Sequence, residues 1–205
     1  MKPKDVPIPE RMQDLPRDKR GYPYPVIILE DDSGVRHFTI NDEHTRQRLL
    51  EERRCAICGQ VMGDVMWMPG GPLSALHPHG CYNDTPLHHE CMTYAMMVCP
   101  YLAMPNFKGV NVAAAIKKVD TGDGTATYHD PTVIGQKPPF FVVVQTSAVS
   151  CKENQAMPGT VGYIRPVDWT GNPEVWKDGK KFSEEEGMIL IQHFYDKVIK
   201  PTLKV

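Results

Sequence analysis

Hydrophobic and polar positions alternate along this chain with two different periods, and the changes of period mark the elements. Val26-Ile27-Ile28-Leu29, then Asp31-Asp32-Ser33-Gly34, then Val35 to Ile40 read as a strand, a turn and a strand. Asn41 is the expected N-cap of a helix running to Arg54, with Leu49 and Leu50 turned inward. Residues 59–68 predict a short hairpin turning at Gly63-Asp64. Gly70-Gly71-Pro72 breaks that pattern, and a loop rich in His, Pro and Gly runs on to Thr85. Pro86 suits the first turn of a helix that stops before Pro100, since proline is tolerated early in a helix and disruptive later. A short helix over 110–119 and a turn at 122–124 follow. The unbroken run of β-formers from Phe140 to Thr146 predicts a buried strand, and Val161 to Ile164 a second one. Ser183-Glu184-Glu185-Glu186 forms a capping box, after which Met188, Ile191, Phe194, Tyr195 and Val198 recur at helical spacing up to Pro201.

These elements predict an α+β class: a small mixed sheet with a C-terminal helix, without internal repeat or alternating βαβ units. Residues 1–25 have no hydrophobic periodicity and are rich in proline. They are expected to form an extended N-terminal arm that either drapes over the domain or stays mobile. Residues 26–205 are then one domain.

Composition narrows the function classes. The content of 41% hydrophobic and 23% charged residues is ordinary for a soluble globular chain, and a net charge of -2 supplies no overall attraction to nucleic acid or anionic lipid. No stretch approaches the roughly 20 apolar residues that cross a bilayer. The first residues lack the apolar core of a secretory leader, so the expected location is cytoplasmic and no membrane partner is expected. In that compartment thiols stay reduced, and clustered cysteines signal metal or redox chemistry. The cysteines stand at 55, 58, 81, 91, 99 and 151.

Cys55-Ala56-Ile57-Cys58-Gly59 has the form of a zinc knuckle, two thiolates on a tight turn with a glycine beneath the metal. His88-His89-Glu90-Cys91 supplies two more ligands. Positions i and i+3 of a helix share a face, which selects His88 with Cys91 over His89. The positive end of a helix also stabilises thiolate there. A knuckle, a hairpin and a helix whose first turn completes the tetrahedron make a treble-clef-like site for one structural Zn2+, held by Cys55, Cys58, His88 and Cys91, in a module spanning about residues 45–102. Cys81 is the competing candidate for a ligand position. Cys99 lies about 12 Å along the helix axis from Cys91 at roughly 1.5 Å per residue, so Cys99 and Cys151 are expected as core thiols. A redox pair would open a helix after a core strand, whereas here a helix precedes the knuckle.

Read together, Cys55-x-x-Cys58-Gly59, Gly71-Pro72, His88-x-x-Cys91, Tyr94-Ala95 and Cys99-Pro100-Tyr101-Leu102 resemble a group of phage and actinobacterial proteins with a CxxCG…GP…HxxCAxYAxxxCPFL pattern. Trp176-Lys177-Asp178-Gly179 leading to Ser183 and Glu186 resembles a second segment of that group, before its final helix. Met92 stands where the group prefers Ala, and Lys180 where it prefers Arg. The resemblance implies zinc binding and a phage or bacterial origin. It implies no reaction.

Catalytic zinc keeps an open coordination position, and three cysteines with one histidine leave none. The order of ligands also departs from that of zinc deaminases. There is no Gly-x-Ser-x-Gly and no dinucleotide fingerprint, so no organic cofactor is expected. The expected function is therefore a zinc-stabilised binding or regulatory protein of phage or bacterial type, acting on a protein or nucleic acid partner in the cytoplasm of a bacterial host cell. The alternative is a metal-dependent nuclease or hydrolase using His77, His79, His89 and Glu90 beside the zinc. Met62, Met66, Trp67, Met68, Met92, Met96 and Met97 either form a partner surface or pack the core around the metal. Arg46, Arg48, Arg53 and Arg54 alternate with Glu43, Glu51 and Glu52, as on a solvated helix face.

Overall fold

A computed structural model describes residues 5–105, 128–129, 137–153 and 161–203. Strands β1 (Ile28–Glu30) and β2 (Arg36–Asn41) pair antiparallel across a turn closed by Asp31, whose carboxylate accepts from the Ser33 and Val35 amides at 3.0 Å each. Because β2 extends through Asn41, the helix cap falls to Asp42 instead, which accepts from the Thr45 amide at 2.6 Å. Helix α1 (Glu43–Glu51) is shorter than the expected helix through Arg54, stopping three residues before it. Arg53 takes a left-handed φ of 51°, while the amides of Arg53 and Arg54 donate back to Leu50 and Leu49 at 3.2 and 2.7 Å. This Schellman stop turns the chain sharply into Cys55.

The hairpin expected over 59–68 does not form. Strand β3 (Met66–Gly70) pairs with β5 (Phe141–Thr146) instead, in register Met66 with Thr146 through Gly70 with Val142. The loop up to Thr85 contains a short helix, α2 (Pro72–Leu76), for which Pro72 is the start and not the break. Helix α3 (His89–Val98) begins three residues after Pro86, and α4 (Pro100–Ala103) follows it. Strand β4 (Tyr128–His129) pairs with the end of β2. The helix over 110–119 and the turn at 122–124 lie outside the described residues.

Strands β6 (Val149–Glu153) and β7 (Val161–Pro166) form a two-stranded sheet. Strand β8 (Glu174–Lys177) adds to β5 and turns back through Asp178-Gly179 into β9 (Lys180–Lys181). Both turn residues have positive φ, 49° and 75°, the conformation that makes Asp-Gly a hairpin signal. The expected mixed sheet is therefore corrected to small antiparallel sheets ordered β1-β2-β4, β3-β5-β8-β9 and β6-β7. Most of the connections are too short for a parallel crossover, which needs a dozen or more residues.

Strand β5 is apolar from Phe141 to Val144 because that stretch is buried on both faces. Phe141 and Val143 point into a core with Leu49, Met66, Met92 and Trp176, while Val142 and Val144 point into another with Met68, Tyr82, Ile164 and Val175. Met62, Met66, Met68, Met92 and Met96 all lie in these cores, so the methionine-rich segments fill space around the metal module instead of forming a free surface. The arm packs on the first core: Met12 is only 2% exposed.

Arg46 corrects the reading of a solvated helix face. Its guanidinium is 1% exposed, donates to the carbonyl oxygens of Asn83 at 2.8 Å and Gly162 at 3.1 Å as well as to that of Val161, and pairs with Glu43 at 3.2 Å. One side chain thereby ties α1 to the loop before α3 and to β7. The C-terminal helix α5 (Glu184–Phe194) has its capping box, and its buried side is the expected one at Ile191 and Phe194 but not at Met188 and Val198. The stretch Tyr195–Ile199 is a π-helix, and its wider turn brings Ile199 inward and leaves Val198 41% exposed. Met188 also faces out, while Leu190, Ile191 and Phe194 pack against the second core.

Candidate metal centre

Cys55 and Cys58 share one tight turn. The Gly59 amide closes it on the Cys55 carbonyl at 2.8 Å, and the Cys55 amide donates to Gln60 at 3.0 Å. Gly59 has φ +71°, and a Cβ there would press on Val26 at 3.2 Å, so the turn needs glycine. Opposite it, the amides of Trp67 and Leu87 each donate to the other's carbonyl, at 3.0 and 2.8 Å, which delivers the chain to His88. His88 is the N-cap of α3 and not, as expected, a residue of its first turn; Cys91 lies three residues on, inside that turn. The i, i+3 relation therefore still places both on one side.

One ligand atom from each of Cys55, Cys58, His88 and Cys91 lies within 4.8 Å of every other, and the three cysteines are buried. Tetrahedral bonds of about 2.3 Å to sulfur separate ligand atoms by roughly 3.8 Å, so small adjustments close this set on an ion. Nδ1 of His88 faces Cys58 Sγ at 3.3 Å, while Nε2 donates to the Val61 carbonyl at 3.2 Å. A backbone acceptor on one ring nitrogen leaves the other as the ligand. These residues form a cluster able to hold a metal ion.

The electrostatics of the metal-free cluster are those of thiols sharing one charge. Hydrogen bonds from Cys58, Cys91 and His88 hold the Cys55 thiol far below its ordinary range. The same charge, accepting their protons, pushes Cys58 up to about 11 and Cys91 further still. His88 is raised by its hydrogen bond to Cys55. An ion replaces those shared protons with its own charge.

Arg11 of the arm covers the site. Its guanidinium pairs with Glu90 and donates to Gln60 at 2.9 Å, and the hydrogen bond to Glu90 raises its pKa, with the nearby charges of Cys58 and Cys91 adding to that. No sequence signal marks this contact, whose partners stand 79 residues apart.

The other predicted residues lie elsewhere. Cys81 lines a cavity away from the cluster, Cys99 caps the end of α3, and Cys151 is exposed on β6 instead of being a core thiol. His77 and His79 interact with each other, with ring centroids 5.6 Å apart, in a loop that Arg165 pins through the carbonyls of Pro78 and Gly80. His89 turns from the cluster to Glu174 at 2.9 Å, with Trp67 against its ring at 4.4 Å. Glu174 also accepts from Lys181 and Trp176, at 2.6 and 2.9 Å.

The fold and site thus define a class: an α+β protein of small antiparallel sheets, built around a three-cysteine, one-histidine cluster that can hold a metal ion. No protein-family model, curated protein or solved structure matches the chain. Among the described residues no helix is long and apolar enough to cross a membrane.

Proposed function

We propose that Cys55, Cys58, His88 and Cys91 hold one structural Zn2+, and that the protein is a binding or regulatory module of phage or bacterial type whose partner is a protein or a nucleic acid. The observation that carries this is the donor set: three thiols and one imidazole, with ligand atoms all within 4.8 Å of one another, supply the four donors that a closed structural zinc site requires. The donors suit zinc, which favours sulfur and nitrogen in four-coordinate sites. The arrangement is treble-clef-like, with the doubly bonded Trp67–Leu87 pair in place of a hairpin between knuckle and helix.

The hydrolase alternative has less in its favour. Glu90 is paired with Arg11, His89 is held by Glu174, and His77 and His79 contact each other in the loop after α2. Elemental analysis of the purified chain tests the main reading. It should find about one zinc per chain, and a strong chelator should remove both the metal and the near-ultraviolet circular dichroism. A metal-free folded protein would overturn it. Capture of a partner that survives nuclease treatment supports a protein partner, and binding that weakens steeply with salt supports nucleic acid.

A further inference from the structure

Tyr24 and Phe38 stack with ring centroids 4.6 Å apart and planes 26° from parallel, where the N-terminal arm meets β2. The pair stands between two cavities. Tyr24 lines one of about 400 Å³ with Pro16, Ile28 and Arg36, and Phe38 lines another of about 760 Å³ with Arg20 and Tyr22. Both volumes lie in the range of ligand sites. Phe38 is 42% exposed, although it belongs to a strand whose Ile40 is buried, so its ring presents open apolar surface beside the stack.

Cations flank these rings. The Arg36 guanidinium lies 5.3 Å from the Tyr24 centroid and that of Arg20 5.2 Å from the Tyr22 centroid. Arg17 and Lys19 stand in the same turn, where Asp18 is the acid among them. The carboxylates nearby are already committed. Asp18 bonds Arg20 at 2.6 Å and the Tyr22 amide at 3.0 Å, Glu30 bonds Arg36 at 2.6 Å, and Asp42 caps α1. The Glu30–Arg36 pair is solvent-exposed and weak, so a phosphate can exchange for Glu30, while Asp18, its side chain only 7% exposed, stays on Arg20.

An open aromatic surface with arginines beside it is what an unpaired base and its phosphate require; Phe38 offers that surface, and the guanidiniums of Arg36 and Arg20 lie over the neighbouring rings of Tyr24 and Tyr22. Every base offers a π-face, and the backbone follows the cations. An acidic peptide has the charge but not the faces, and a duplex hides its faces in its own stack. We infer that the Tyr24–Phe38 stack, flanked by Arg20 and Arg36, is a platform for single-stranded nucleic acid. This rests on the binding-module reading and names the partner within it.

The test uses the zinc-loaded full chain and fluorescence anisotropy with a labelled 12-nucleotide oligothymidine at low salt. Binding should be saturable and should weaken roughly 5- to 150-fold in Phe38→Ala, the range set by the loss of one stacked base, while Phe38→Tyr keeps it. Arg36→Gln should reduce the salt dependence of binding. Because Phe38 is exposed, the variants should keep their zinc and circular dichroism, which is measured alongside. The inference is overturned if the zinc-loaded chain ignores the oligonucleotide, or if Phe38→Ala binds as well as wild type. It is equally overturned if a duplex or thymidine monophosphate binds as tightly, or if polyglutamate competes as well. Absence of stoichiometric zinc is a separate result, and overturns the module reading instead.

Discussion

Nε2 of His88 lies 3.2 Å from the carbonyl oxygen of Val61, and this contact settles which side of the imidazole meets the sulfurs. A carbonyl only accepts, so Nε2 carries a proton, and Nδ1, which faces Cys58 Sγ at 3.3 Å, is the nitrogen left for an ion. Changes one layer out from a metal typically cost 10- to 100-fold in affinity, and removing the ligand itself should cost at least about 100-fold. Competition of His88→Ala with a chromophoric zinc chelator measures this. Unchanged affinity would remove His88 from the ligand set.

Metal affinity should rise with pH. In the metal-free chain Cys58 is pushed up to about 11 and Cys91 is raised as well, because both donate to the charged Cys55. At neutral pH both thiols are therefore protonated and must lose their protons to the metal. Each proton released steepens the dependence by about tenfold in affinity per pH unit. Calorimetry in buffers of different ionisation enthalpy counts them. Affinity that stays flat between pH 6 and 8 would contradict the thiolate assignment.

Glu174 is a carboxylate with a side chain only 10% exposed. Burial pushes its pKa up, but hydrogen bonds from Lys181, His89 and Trp176 outweigh that and hold it below the usual 4.5. A depressed carboxylate stabilises the fold above its unfolded pKa, and that stabilisation is lost as pH falls through the folded one. Glu174→Gln should then cost about 1–3 kcal/mol at pH 7, with the gap to wild type narrowing below about pH 4.5. Urea unfolding of both proteins across this range shows whether the gap closes.

Arg46 is the buried cation on which α1, β7 and the loop at Asn83 converge. Arg46→Ala strands Glu43, whose carboxyl is already pushed up by burial against the pull of Arg46, and should destabilise the fold by about 3–5 kcal/mol. Adding Glu43→Gln to Arg46→Ala should recover part of the loss. Denaturant midpoints of the single and double variants give the coupling, and strict additivity would mean that the pair does not act as one unit.

Met12 carries the arm into the metal-side core. With its side chain 2% exposed, Met12→Ala should cost about 2–5 kcal/mol. Trypsin should then cut at Arg17 and Lys19 faster than in wild type. Equal cleavage rates would show that the arm is held by other contacts, with Arg11 and its partner Glu90 the first to examine.

Some of this was readable along the chain because it depends on neighbours in sequence. Cys55 and Cys58 share one turn, and His88 and Cys91 lie three residues apart at one helix end. Spacing therefore pairs each couple whatever surrounds it. The run from Phe141 to Thr146 shows a strand buried on both sides, and Ser183 with Glu186 shows a helix start. That the two ligand couples meet was readable too, because only together do they make four donors for one ion. Other links between distant segments were not: that β3 leaves its expected hairpin to pair with β5, and that Arg11 reaches Glu90, depend on the chain folding back on itself. Arg46 has the composition of a surface residue and becomes a core residue only because three carbonyls await it. Residue order specifies local geometry, but burial and pairing are properties of the space between elements, and only tertiary packing decides which polar groups lose their water.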